Sequence, residues 1–296
     1  MRMKEKVHKI HKVTLFDVII VCAMAALMII VLYPFYNSVM ISFVSQKEYL
    51  MSDFLLIPQN ITLDAYNFVF TSNSLWSGFR VSTIVVIIGT AYCMLLTTAL
   101  AYGLTKPFPG HRVIFGLIIF TMYFSGGLIP AYLVISKMGM LDSLAALIIP
   151  AGVNTFYMIV IRNFFMALPA ELEEAAKIDG ANEFVIFFKI VLPLSLPVLA
   201  TFGLFFAVDH WNSWFSGMMY IKSADKRPLQ LVLKSILTTI DAVKNPGATQ
   251  SGLKAKVFSD GVKMASAIIT MLPVMIIYPF LQKYFMKGIM LGAIKS

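Results

Sequence analysis

The sequence predicts an all-α membrane protein with six transmembrane helices and both termini on the cytoplasmic side. Three observations carry that prediction. Of 296 residues, 59% are hydrophobic and only 13% charged, whereas a soluble domain carries roughly 25% charged residues, so lipid is the main solvent. Six charge-free windows each approach or exceed the length of about 20 apolar residues that crosses a bilayer. Lys and Arg gather in the short segments that would all face one side.

Taken in order, residues 1–14 form a tail carrying Arg2, Lys4, Lys6, Lys9 and Lys12, read as cytoplasmic. The uncharged run from Val18 to Gln46 is too long for a signal-peptide core of about 7–15 residues, so Val18–Phe43 is read as an uncleaved first span. The outside segment Gln46–Arg80 contains Pro58, Asn60, Asp64 and Asn73 and suits an external cap or a partner contact. The second span, Val81–Leu104, is followed by a loop with Lys106 and Arg112. Val113–Ser136 and Ser143–Ile161 are the third and fourth, Ile190–Val208 the fifth and Met264–Gln282 the sixth. Lys283, Lys287 and Lys295 follow the last span, again on the inside. The segment Asp209–Lys263 is Lys-rich yet falls outside, and long loops obey the charge rule poorly. Within it, Leu229–Ile240 has the apolar spacing of an amphipathic helix. Continuous apolar runs exclude a β-barrel, whose segments alternate over about ten residues. Nothing repeats at a fixed period, so residues 15–296 read as a single transmembrane domain.

Several function classes drop out. The net charge of +9 is dispersed between apolar stretches and does not form a nucleic-acid-binding face. Cys22 and Cys93 lie inside apolar runs without ligand spacing, and His8, His11, His111 and His210 are scattered, so no metal site is expected. No Gly-x-x-x-x-Gly-Lys-[Ser/Thr] loop exists, nor any Gly-Lys dipeptide; ATP chemistry must come from another polypeptide. An ion-coupled secondary transporter is the main alternative, but it would place ionisable residues inside its spans, and these six windows hold none. The same absence of Asp, Glu and His argues against an intramembrane hydrolase.

The segment 168–189, between the fourth and fifth spans, is unlike the rest. Pro169 suits the first turn of a helix, and Glu171, Glu173 and Glu174 favour the positive end of its dipole. Gly180 suits a left-handed C-cap. Phe184, Phe187 and Phe188 give a second short helix an apolar side. The expectation is a helix–turn–helix at the membrane surface, with Lys177 and Asp179 as solvated residues and Ala175 and Ala176 small enough for a partner to approach closely.

Here the chain resembles a known family. Glu174-Ala175-Ala176, three residues, Gly180, nine residues, then Ile190-Val191-Leu192-Pro193 is similar to the defining loop of permease subunits of bacterial ATP-binding-cassette importers. The resemblance implies a type I importer permease fold in the bacterial cytoplasmic membrane. It also implies docking onto a cytoplasmic ATPase through Glu174, Ala175, Ala176, Asp179, Gly180, Ile190, Leu192 and Pro193. The implied partners are a second homologous permease, two copies of the ATPase and an extracytoplasmic solute-binding protein. ATP and Mg belong to the ATPase, with no cofactor on this chain. Phe124-Ser-Gly-Gly-Leu-Ile-Pro-Ala-Tyr-Leu, Met138-Gly-Met-Leu-Asp142, Trp211-Asn212-Ser213 and Lys287-Gly-Ile-Met-Leu-Gly-Ala resemble the oligosaccharide, maltose-type branch, nearest to complex-polysaccharide importers, which implies a carbohydrate solute.

Two local expectations remain. Pro193 and Pro197 remove backbone donors from the fifth span and should kink it beside the coupling loop. Asp209, Trp211, Asn212 and Trp214, at the outer end of that span, are candidates for sugar contact, because an indole stacks on sugar C–H groups and Asp or Asn binds hydroxyls. An aromatic belt at the membrane interface explains the same residues equally well.

Overall fold

The computed structural model describes residues 14–51, 55–244 and 258–293, with side chains except at 239–244 and 280–293. The basic tail up to residue 13, with His8 and His11, lies outside the described residues, as does Lys295. In chain order the helices are α1 (Leu15–Ser42), α2 (Gln46–Met51), α3 (Asp64–Phe70), α4 (Asn73–Gly103), α5 (His111–Tyr123), α6 (Leu128–Lys137), α7 (Ala145–Ile148), α8 (Thr155–Met166), α9 (Ala170–Ile178), α10 (Glu183–Ile186), α11 (Leu192–Leu194), α12 (Leu196–Trp211), α13 (Trp214–Tyr220), α14 (Leu229–Lys244) and α15 (Ser259–Ala293). Among the described residues the one β-type pairing is an isolated antiparallel bridge between Val44 and Ile61.

Three uninterrupted helices are long and apolar enough to cross a membrane: α1, α4 and Ser259–Pro279 of α15. Three further candidates are bent pairs, so the chain has at least three such spans and up to six. The pair α5 and α6 turns by 115° at the Ser125-Gly126-Gly127 notch, where Gly127 takes φ 91° and ψ 177°, a conformation essentially confined to glycine. Ala145–Ala151 meets α8 at 49°, the second helix restarting on an Asn154 side chain that accepts the Tyr157 N–H. Glu183–Leu194 meets α12 at 85°. That break sits at Ser195, between Pro193 and Pro197, where the ring nitrogens supply no donor, and a π-turn at Phe187–Val191 leads into it.

The second span starts earlier than its charge-free window. α4 begins at Asn73, and Leu75 and Gly78 are buried, so packing extends the helix past the exposed Arg80 at which the window stopped.

By internal contacts the chain divides into two compact units: residues 1–66 with 255–268, and residues 67–254 with 269–296. In the first, a capping box starts α1: the Thr14 hydroxyl accepts the Asp17 N–H and the Asp17 carboxylate accepts the Thr14 N–H. None of the most apolar stretch of α1 is covered by the rest of the chain, as expected of a helix solvated by lipid or by a partner. Ile41, Val44 and Leu55 form a small core against Tyr49, Phe258 and Met264, and the Glu48 carboxylate accepts the N–H groups of Gln59 and Asn60. The described part of segment 46–66 is thereby folded rather than merely polar.

The second unit is organised around α4. Val85, Gly89, Cys93, Thr97 and Ala101, four residues apart, are all buried, a row of mostly small side chains that lets neighbouring helices come close. A Cβ on Gly89 would stand 2.6–2.8 Å from the His210 imidazole, so only glycine admits that ring. At the far end of α4, Ala101, Tyr102 and Leu104 join Met158, Ile161, Phe165, Ile186, Phe187, Val191 and Phe202 in the largest core.

Candidate functional site

The segment that follows α8 is a helix–turn–helix. α9 starts on Pro169, with Glu171 and Glu173 in its first turn, and ends in a Schellman turn. Gly180 N–H donates to Lys177 O at 3.0 Å and Ala181 N–H to Ala176 O at 2.9 Å, with Gly180 at φ 81°. This left-handed geometry favours glycine. Asn182 then caps α10 through the Val185 N–H. The second helix is no separate element: it runs through the π-turn into α11 and the arm of α12, so the loop is continuous with the bent fifth span.

Two residues are placed differently from the expectation. Ala176 is buried in the chain's own core; its small size serves the approach of α9 to the bundle, while Ala175 faces outward. Lys177 is not simply solvated, because its Nζ pairs with Glu183 Oε1 at 2.9 Å. The remainder of the exposed surface is mixed. Glu174 and Asp179 are exposed, and among the described residues no ion pair involves Glu174. Ile178 is 87% exposed and Phe184 76% exposed, a large apolar exposure for a segment whose neighbours are charged. Ile190 and Leu192 are half-buried and Pro193 is exposed.

A charged network that the sequence reading did not anticipate ties this loop to the end of α4. Lys106 pairs with Glu173 and lies 3.4 Å from Glu183 Oε2. The Tyr102 hydroxyl donates to the same Glu183 oxygen at 2.6 Å, and Lys106 Nζ sits 4.5 Å from the Tyr102 ring centroid. Arg162 Nε donates to Leu104 O at 2.8 Å, and a His111 ring nitrogen approaches the same carbonyl at 2.9 Å. The acid–base spacing along α9 contained a hint, but Tyr102 lies 81 residues from Glu183, beyond what periodicity can pair.

At the other end of α12, the four candidate solute contacts separate. Asp209 and Asn212 are exposed and line a cavity of about 340 Å³ together with Asn154, Ser216, Phe206 and Phe215. Tyr157 OH donates to Asp209 Oδ2 at 3.1 Å, and Gln230 Nε2 to Asn212 Oδ1 at 3.2 Å. Trp211 does not join them: it is buried, its Nε1–H donates to Thr270 O at 3.0 Å, and its ring meets Phe79 edge-on. Trp214 is half-buried, with Lys234 Nζ 3.2 Å from its ring centroid. Trp211 is buried and Lys234 covers one face of Trp214, while the phenylalanines that line the cavity are Phe206 and Phe215. Nothing in one-dimensional spacing marks those phenylalanines.

On the same side, Asp142 holds a second clasp. Its carboxylate accepts the N–H groups of Lys222 and Ser223 at 3.0 and 2.8 Å and the Ser223 hydroxyl, while Lys226 Nζ reaches its carbonyl at 2.8 Å. These bonds, that from the Ser223 hydroxyl foremost, hold the Asp142 carboxyl below the ordinary carboxylate range.

With this geometry in view, comparison with known proteins is decisive. Residues 98–291 match the family described as binding-protein-dependent transport system inner membrane component. The chain belongs to this family. It is a permease, the membrane-spanning subunit of an ATP-binding-cassette importer. The permease is 40% identical over 283 residues to the polygalacturonan/rhamnogalacturonan transport system permease protein YtcP of Bacillus subtilis, covering 95% of this chain and 99% of that one. It is 28% identical to the arabinooligosaccharides transport system permease protein AraQ of Halalkalibacterium halodurans, covering 90% and 92%. Among solved structures it is similar, with TM-score 0.82 and 29% identity over 94% of this chain and 99% of the other, to a chain of a bacterial transporter involved in import of the acidic polysaccharide alginate. The matched stretch contains the whole of α9, Gly180 and the bent pair that ends in α12.

Proposed function

We propose that the permease carries an oligosaccharide, of the kind derived from a complex polysaccharide, across the bacterial cytoplasmic membrane. The chain crosses six times, each bent pair counting as one crossing, with both termini and the loop 168–193 on the cytoplasmic side. It pairs with a second homologous permease, receives solute from an extracytoplasmic binding protein, and rests on two copies of an ATPase that supplies ATP, Mg and the hydrolytic chemistry.

The observation that carries this reading is the exposed surface of α9. It presents an exposed acid, Glu174, one turn from the exposed Ile178, with the exposed Phe184 following on α10. Such a surface suits a partner with a basic residue at the edge of an apolar cleft. The relatives' names supply the solute class, and the cavity bearing Asp209, Asn212 and Asn154 has the hydroxyl-binding groups a sugar needs.

Purified complex in lipid discs tests both halves. Ile178→Cys should cross-link to the ATPase, and thiols introduced at Asp225 and Ile178 should label from opposite sides of intact cells. Deletion of the gene should abolish uptake of one oligosaccharide and spare monosaccharides. Uptake lost instead for a metal ion, amino acid or peptide sinks the solute assignment, and labelling of Ile178→Cys from outside sinks the orientation.

A further inference from the structure

Resting on the docking reading above, we infer that Glu183 is a positioning residue which joins the ATPase-facing loop to two helices at once, and so sets how much solute moves per ATP. Glu183 lies beyond the Glu174–Gly180 segment and touches no partner in that reading. Yet its carboxylate is where three segments meet. Oε2 accepts from Tyr102 at the end of α4, and Lys106 from the following loop stands 3.4 Å away. Oε1 pairs with Lys177 of α9. Its own backbone opens α10, which is continuous with the bent arm of α12.

A force applied to α9 therefore has two routes into the membrane. One runs along the covalent chain through Gly180, the π-turn and the Ser195 break, which is the more compliant route because its helix is interrupted twice. The other runs sideways through Glu183 to Tyr102, and Tyr102 belongs to an unbroken 31-residue helix. The hydroxyl and the two ammonium groups bind the carboxylate only if α4, α9 and α10 keep their present arrangement. Charge-assisted bonds of this kind are short and orientation-dependent. Without them α9 would still dock, but its displacement would be absorbed at the breaks.

The test is made on the full complex in lipid discs with its binding protein. Solute transported per ATP hydrolysed is measured for Glu183→Gln, Tyr102→Phe, Lys106→Gln and Lys106→Arg, each alongside cross-linking of Ile178→Cys to the ATPase. The expected result is a fall of about fivefold or more in solute per ATP for the first three, the scale of an ordinary coupling energy. Lys106→Arg, which keeps the charge, should stay near the parent ratio, and the cross-link should persist throughout. A general weakening of the fold would lower transport and hydrolysis together without moving their ratio. An unchanged ratio in Glu183→Gln, at any absolute rate, overturns the inference. Absence of the cross-link in the otherwise unaltered chain removes the docking reading itself, and this inference with it.

Discussion

Two of the permease's carboxylates, Asp142 and Glu183, sit in polar clasps that are built differently. Asp142 is gripped chiefly by backbone: two consecutive N–H groups at Lys222 and Ser223, with the Ser223 hydroxyl and Lys226 beside them. Glu183 is gripped by the ends of three side chains, Tyr102, Lys106 and Lys177. Backbone donors are fixed by the turn that carries them, so the first clasp has one geometry. The second is closed by side chains from three segments, so it holds only while those segments keep their mutual arrangement. The first clasp is thus set by one local turn, and the second by how three segments sit against one another.

That contrast can be broken from either side. The largest expected effect is Asp142→Ala, which leaves two backbone N–H groups and a hydroxyl without their acceptor; melting of the purified complex should fall further than for Glu183→Ala. Next come two glycines with the same handicap, Gly139 at φ 68° and Gly180 at φ 81°, each with nothing within 4 Å of an added Cβ. Valine at either should cost about 1–2 kcal/mol through the backbone alone. Gly139→Val should lower only the melting temperature, whereas Gly180→Val should also cut binding-protein-stimulated hydrolysis and transport. Equal transport by the two variants would remove the distinction between the ends.

Acid sharpens the comparison more gently. The folded Asp142 carboxyl lies below its ordinary value. Its contribution is therefore complete above the unfolded carboxyl value of about 3.9 and is lost as pH falls from there through the folded value. Melting curves taken downward from pH 7 should lose a component below about pH 4 that Asp142→Asn lacks. The smallest effect is Lys177→Ala. Its pair with Glu183 is half-exposed on both sides, and such pairs contribute at most about 1 kcal/mol, less at high salt.

How far the sequence foretells this molecule depends on the range over which each feature is encoded. The Schellman turn was legible because Pro169, the acids and Gly180 act within one helix length. The Pro193–Pro197 break was legible for the same reason, as were the continuous apolar windows. The start of α4 was missed because charge marked the window's end, whereas burial of Leu75 and Gly78 decides the helix. Ala176 was assigned to a partner because smallness looks the same whichever surface comes close. Trp211 was offered to the solute for a like reason: an indole gives no sign in sequence of whether its N–H meets water or, 59 residues on, the Thr270 carbonyl. The Tyr102–Glu183 bond and the Phe206–Phe215 wall arise only once helices are packed.

The His210 ring in the hollow of Gly89 works as a mechanical detent. In place the ring already meets Cys93 Sγ at 3.4 Å, and sliding α12 by one helical turn, about 5.4 Å, toward Val85 would set it against a side chain that Gly89 lacks. The contact therefore opposes sliding of α12 along α4. Reorientation of α12 is taken up most readily where the chain is already discontinuous, at Ser195.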